Sequence, residues 1–247
     1  WTFDPDELSR AFSNRTRAIV INSPNNPTGK VFTRAELELI AELCQRWDVL
    51  AISDEIYERI VYAESTHVPM ASLPGMAERT ITTNGLSKTY SVTGWRMGWA
   101  LSPASLTGGI RKMHDFLTIA APSPFHNAGV TALQLPEHYY SDLNGEYQKK
   151  RDLMMDILAR HGFPAYTPGG AYYVIADVSR FGFKNDADFA HFLVKEIGVA
   201  TVPGSSFYID PAAAPKTVRF CFSKRDETLH EADRRLAKLA TTAAGRA

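Results

Sequence analysis

Short runs of apolar residues alternate along the chain with longer stretches in which apolar side chains recur at helical spacing, the layout of an α/β protein. Ala18-Ile19-Val20-Ile21 sits at the centre of an expected strand over 17–22, apolar throughout, so both of its faces are expected to be buried as in a parallel sheet. Thr33-Arg34-Ala35-Glu36 then reads as a capping box opening a helix to about Trp47, with Leu37, Ile40, Ala41, Cys44 and Trp47 on one face. A strand over 49–53 completes a strand-helix-strand unit of the kind that builds parallel sheets. Upstream, Asp4 caps a short helix to Phe12 and Pro5 takes its first position, where a missing N–H costs nothing.

Further strands are expected over 79–83 and 97–101, and helices over 104–118 and 125–135. A long helical stretch over 136–160 suits a connector between two domains. Beyond it the order changes to strand 172–177, helix 187–197, strands 199–202 and 217–222, and helix 227–239, an α+β layer. The expected division is a first domain over 1–144 and a smaller second one over 145–247 that includes the connecting helix. Residues 241–247 are expected to fray.

Composition adds exclusions. Lys+Arg and Asp+Glu balance at 27 each, so net charge makes no case for a nucleic-acid or membrane partner. No apolar run is long enough to span a bilayer, and the first residues lack the basic-then-apolar layout of a signal peptide. The two cysteines, Cys44 and Cys221, fall in a predicted helix and a predicted strand without disulfide or zinc spacing, which points to a reducing cytoplasm. None of the seven histidines stands at metal-ligand spacing to another ligand, so no metal is expected.

Chemistry concentrates in Gly85-Leu86-Ser87-Lys88-Thr89-Tyr90-Ser91-Val92-Thr93-Gly94-Trp95-Arg96-Met97-Gly98. Glycines permit close backbone approach, the hydroxyls supply neutral hydrogen-bond groups, Arg96 offers a planar fork suited to phosphate, and Lys88 carries an amine that becomes a nucleophile once deprotonated. The residues alone also fit a solvated polar loop. Other parts of the chain stand out as well. Ser23-Pro24-Asn25-Asn26-Pro27-Thr28-Gly29 is a turn-rich segment at a strand end, and Asp54 and Tyr57 follow the strand over 49–53, where ligands collect in open α/β sheets. Asp54 could equally cap a helix and Tyr57 could simply pack, with Glu55 and Glu58 read as solvated or capping. Arg219 interrupts an apolar strand, which is costly unless its charge is partnered, by a structural salt bridge or by a ligand.

The full spacing Gly-Leu-Ser-Lys, two residues, Ser-Val-Thr-Gly-Trp-Arg-Met-Gly resembles the pyridoxal-phosphate attachment site of the class I/II aminotransferases, the fold type I family of PLP enzymes. The resemblance implies a large PLP-binding domain with a mostly parallel sheet flanked by helices, of which 1–144 would be the C-terminal portion, and a small α+β domain after it. It implies that Lys88 carries pyridoxal 5'-phosphate as an internal aldimine and later acts as the base at the substrate Cα. Ser87 and Arg96 would hold the phosphate, Asp54 the pyridine nitrogen, and Tyr57 and Asn26 the phenolic oxygen. Asn26 would also lie near the substrate carboxylate, which Arg219 would clamp. Some members carry a serine three residues before the lysine, where this chain has Gly85.

The activity so implied is transfer of an amino group from an L-amino acid to a 2-oxo acid, by a homodimer. Two other readings share the motifs: a carbon-sulfur lyase of the same fold, and a non-catalytic aminotransferase-like sensor domain of a transcription regulator. The chain opens on Trp1, and an N-terminal part of the family's chain has no counterpart in it. In the family that part supplies a glycine-rich phosphate loop, an aromatic stacked on the ring and contacts across the dimer, so these 247 residues alone are expected to bind the cofactor poorly.

Overall fold

The structure, a computed structural model, describes residues 1–240; the expected fraying over 241–247 lies outside the described residues. The chain divides into two compact units. The first comprises Trp1–Asn25 and Lys30–Leu143, the second Asn26–Gly29 together with the residues from Asn144 on.

The first unit is built on a four-stranded sheet in the order β1 (Ala18–Asn22), β2 (Leu50–Asp54), β3 (Thr80–Gly85), β4 (Gly98–Leu101). The first three strands run parallel and β4 runs antiparallel to β3. Helix α1 (Pro5–Ala11) starts on Asp4, whose carboxylate accepts from the N–H groups of Asp6 and Glu7. Helix α2 (Arg34–Trp47) joins β1 to β2, and both halves of its capping box form: Thr33 accepts from the Glu36 N–H, and Glu36 accepts from the Thr33 N–H. Its Leu37, Ile40, Ala41, Leu43 and Cys44 pack with Ile21, Val49, Ala51, Met70, Leu73 and Met76 into one buried cluster. Burial pushes the Cys44 thiol up to about 11, as suits a small buried hydrophobe.

One expectation about this sheet fails. β1 is not buried on both faces: it is an edge strand, and Val20 is 71% exposed. An apolar run does not say whether a second layer is present to cover it. Helices α3 (Ala104–Leu117) and α4 (Ser123–Leu133) follow β4, and α3 likewise carries exposed Met113, Phe116 and Leu117. Helix α5 (Glu137–Arg160) starts in the first unit and continues into the second.

The second unit holds an antiparallel sheet in the order β5 (Tyr173–Asp177), β7 (Thr217–Cys221), β6 (Val202–Pro203). Helix α6 (Asp186–Phe192) runs on into a π-helical turn over Leu193–Ile197, and α7 (Asp226–Leu236) closes the described fold. Phe163 packs against Phe181, Phe189 and Phe220 as an aromatic core. The strand expected over 199–202 shrinks to Val202–Pro203, because the Gly198 and Val199 N–H groups turn back to the Leu193 carbonyl and end the helix there. Among the described residues no helix is long and apolar enough to cross a membrane.

Candidate active site

In the first unit the chemistry gathers at the C-terminal ends of the parallel strands, where the chain leaves the sheet and side chains are free to meet a ligand. Asp54 is the last residue of β2. Its backbone carbonyl accepts from the Ser23 N–H at 3.2 Å and the Asn22 amide at 3.0 Å, which ties the ends of β1 and β2 together. Its carboxylate accepts from the Ile56 N–H at 3.2 Å in a tight local turn; no helix follows for it to cap. Desolvation holds this carboxyl above the usual aspartate range, the negative Glu55 adds to that, and the Ile56 N–H and the Lys88 charge oppose it.

Lys88 follows β3. Its ammonium lies 5.9 Å from the centre of the Tyr57 ring, which is itself 2% exposed. Among the described residues that amine has no hydrogen-bond or ion-pair partner. The segment around it is closed by the backbone. Leu86 donates to the Met97 carbonyl, Thr93 Oγ1 donates to the Ser87 carbonyl at 2.9 Å, and Arg96 donates to the Thr93 carbonyl at 2.9 Å. These bonds bring Ser87 and Arg96 to the two ends of one closed loop that carries Lys88. Arg96 stands in the left-handed region at φ +55°, its guanidinium exposed. Gly85 is explained by packing: a Cβ there would stand 2.6 Å from the Met97 carbonyl oxygen, which excludes a serine unless the strands shift.

Two tyrosines that the sequence did not single out hold this segment from behind. Tyr139, at the start of α5, donates its hydroxyl to the Thr89 carbonyl at 2.9 Å and stacks on Tyr90. The Tyr90 and Tyr140 hydroxyls share a hydrogen bond at 2.9 Å, and burial together with that bond holds Tyr90 above the usual tyrosine range. Arg59 caps the Tyr140 ring face at 4.6 Å.

Glu55 corrects its reading as a solvated or capping residue: it is 2% exposed. Oε1 accepts from Ser53 Oγ at 2.8 Å and from the Met70 N–H at 3.2 Å, and Oε2 pairs with His67 Nε2 at 3.0 Å. Ligand atoms of Glu55, Glu58 and His67 come within 4.8 Å of one another, although no sequence spacing pointed to them. Hydrogen bonding accounts for the closest of these contacts.

In the second unit Arg219, from the middle of β7, donates to Asn26 Oδ1 at 2.6 Å. Its guanidinium lies 4.2 Å from the Tyr173 ring centre and 5.2 Å from that of Phe207. Arg219 has no carboxylate partner among the described residues, and its Nε is buried without a hydrogen bond, so a structural salt bridge is not what offsets its charge. Asn26 is placed by Gly29, whose carbonyl accepts from the N–H groups of Gly169 and Gly170 at 2.9 and 3.0 Å. Gly29 has φ +69°, and a Cβ on it would stand 2.2 Å from that of Pro168, so only glycine fits this turn.

The family model for aminotransferase class I and II matches residues 1–236. The chain belongs to that family. Kynurenine–oxoglutarate transaminase 3 of Mus musculus is 42% identical over 252 aligned residues, covering 94% of this chain and 55% of the relative. Among solved structures, N-succinyldiaminopimelate aminotransferase from Mycobacterium tuberculosis superposes with a TM-score of 0.91 at 39% identity, over 96% of this chain and 62% of its own. An aromatic aminotransferase from Pyrococcus horikoshii OT3 gives 0.89 at 35%, over 98% and 64%. This class I and II aminotransferase chain thus spans 55% of the length of the first relative and 62% and 64% of the two solved chains.

Proposed function

We propose that the protein carrying this chain is a pyridoxal-phosphate-dependent aminotransferase that moves the amino group of an L-amino acid to a 2-oxo acid, as a cytosolic homodimer. The observation that carries the reading is a pair of groups in the first unit: a desolvated Asp54 carboxyl that feels the Lys88 charge without forming a salt bridge, and a Lys88 amine beside Tyr57 with no hydrogen-bond partner, among the described residues. A desolvated carboxylate that forms no salt bridge fits a ligand that brings a protonated ring nitrogen. An unpaired amine fits a group that carries an aldehyde. The relatives, a kynurenine–oxoglutarate transaminase and two aminotransferases, favour amino transfer over the carbon-sulfur lyase reading.

Lys88 is the covalent attachment point, Ser87 and Arg96 take the phosphate, Asp54 pairs with the ring nitrogen, and Tyr57 bounds the cofactor beside Lys88. The cofactor supplies an electron sink for the substrate's α-carbon. The ε-amine of Lys88, once released from that attachment by the incoming substrate amine, would be placed to take the proton from that carbon, a role in which a positioned base contributes about 10² to 10⁴ in rate. Arg219 and Asn26 orient the substrate by its carboxylate, a task for which the guanidinium fork is better shaped than an ammonium. The connecting helix and the described residues after 144 form the small domain in this reading.

Borohydride reduction of the complete gene product in the presence of pyridoxal phosphate, followed by peptide mapping, tests it. The label is expected on the peptide that contains Lys88, and Lys88→Ala is expected to lose both label and turnover. A label on another lysine overturns the assignment. Release of pyruvate and thiol in place of 2-oxo acid formation establishes the lyase.

A further inference from the structure

Adjacent residues in extended backbone point to opposite sides, so the pair Asp54-Glu55 at the end of β2 sends one carboxylate outward and one inward. Asp54 is half-buried, and Glu55 is closed off from water. A buried carboxylate is tolerated only when its oxygens are occupied by donors, and here Ser53, Met70 and His67 occupy them. The donors come from three places: the strand itself, the loop at His67, and the short helical turn that opens at Met70. The Glu55 N–H in turn donates to the Thr83 carbonyl of β3 at 2.9 Å.

We propose that Glu55, braced by His67, is a positioning residue that fixes the outward aim of Asp54. The Ile56 N–H holds the carboxylate against rotation about its own side-chain bonds, and reversing the Cα–Cβ direction of Asp54 would require rotation of the peptide groups on either side of it. That rotation would pull the Glu55 carboxylate off all of its donors and strand it in the interior. The inward anion thus locks the outward one. The brace would not survive as a mere packing contact, because His67 presents one ring nitrogen to Glu55 while its other, Nδ1, is buried with no partner. Among the described residues the ring is held by the carboxylate and by no second hydrogen bond. The purpose of the brace rests on the reading of Asp54 as the residue that faces the cofactor's ring nitrogen.

The test uses the complete gene product with Glu55→Gln, Glu55→Met and His67→Leu. Glutamine still accepts from Ser53 and Met70 through its carbonyl and donates to Nε2 of a neutral ring, so it keeps the brace without the charge. Methionine keeps the length and has no comparable acceptor. Two measurements are made: absorbance titration with pyridoxal phosphate, and amide hydrogen exchange of the unliganded protein over 50–57 and 66–71. Glu55→Gln is expected to hold the cofactor with affinity close to the parent. Glu55→Met is expected to weaken it by at least about tenfold, the order of one lost charge-assisted hydrogen bond, and to speed exchange at Glu55 and Met70.

Should Glu55→Met fail to fold, His67→Leu removes one arm only and is expected to speed exchange at Glu55 and to weaken the cofactor in the same direction. Unchanged affinity and exchange in the folded Met or Leu variant overturns the brace. A Gln variant as damaged as Met overturns the positioning role in favour of a purely electrostatic one. If the parent protein develops no visible absorbance with pyridoxal phosphate, the reading of Asp54 fails, while the exchange data on unliganded protein still decide whether the contacts hold the strand end.

Discussion

Replacing Arg219 by methionine separates a ligand-binding arginine from a structural one. Methionine keeps most of the apolar stem and removes the fork. The loss on the folded side is one hydrogen bond from a charged donor to Asn26, worth about 1.5 to 3 kcal/mol, and the contacts over Tyr173 and Phe207, worth about 0.5 to 1 kcal/mol each for a group that is not fully desolvated. Against that, the substitution removes a buried Nε–H that no acceptor satisfies, a fault that costs about 1 to 3 kcal/mol. The terms largely offset one another, so the stability of Arg219→Met is expected within about 1 to 2 kcal/mol of the parent by urea unfolding. An arginine serving a buried structural ion pair would instead cost about 3 to 5 kcal/mol on truncation. Substrate binding moves the other way. One charge-assisted hydrogen bond to a carboxylate is worth roughly 1.5 to 3 kcal/mol, which raises KM for an amino acid about 10- to 150-fold. The control is an amine of the same side chain without the carboxylate, whose slower turnover should be unaffected. A stability loss of about 3 kcal/mol or more with KM unchanged would refute the reasoning.

The other predictions concern the elements that place the site. Gly29→Ala puts a Cβ 2.2 Å from that of Pro168 at a left-handed φ, and is expected to cost about 2 to 5 kcal/mol in thermal or urea unfolding; a loss below about 1 kcal/mol would show that the turn yields. Asp54→Asn tests the desolvated carboxyl in unliganded protein. Because burial raises the folded-state pKa above the unfolded one, parent stability falls as pH rises through that window, a loss the asparagine variant does not share. The Asp54→Asn protein is therefore expected to melt higher than the parent at neutral pH, with the gap closing below about pH 4, where both states of the parent are protonated; a constant gap across pH contradicts the assignment. Tyr139→Phe removes one donor to the Thr89 carbonyl and is expected to cost about 1 kcal/mol while accelerating hydrogen exchange around Lys88, measured without cofactor.

What the sequence made legible follows the range of the interaction. The α2 capping box needs only Thr33 and Glu36, three residues apart, and both of its bonds are present. The turn at Asn26 to Gly29 was visible from its prolines and glycine, but the reason for the glycine lies at Pro168, far along the chain. β1 was misjudged because Ile19-Val20-Ile21 reads as apolar whether or not a layer covers Val20. Glu55 was misjudged although half of the signal was present: alternation at a strand end already puts neighbouring carboxylates on opposite sides. The other half, His67 in a loop twelve residues on, obeys no periodicity. Tyr139 and Tyr140 were invisible for the same reason, being fifty residues from the segment they brace.

The charged groups of the two units fall into two kinds, and the division argues for the site more strongly than any one contact. Glu55 is buried and fully served by donors, as folding demands of an interior anion. Asp54, Lys88 and Arg219 are not served in this way: among the described residues the first forms no salt bridge and the second no hydrogen bond, and the third has an orphaned Nε. Each costs stability that a hydrophobic or satisfied polar side chain would not. Groups held in that condition by a well-ordered frame are the ones able to transfer their unmet electrostatic demand to a ligand. In the first unit the anion and the amine left so suit a ligand with a protonated ring nitrogen and a carbonyl carbon, and in the second the guanidinium suits a carboxylate, which is what the proposed function asks of each.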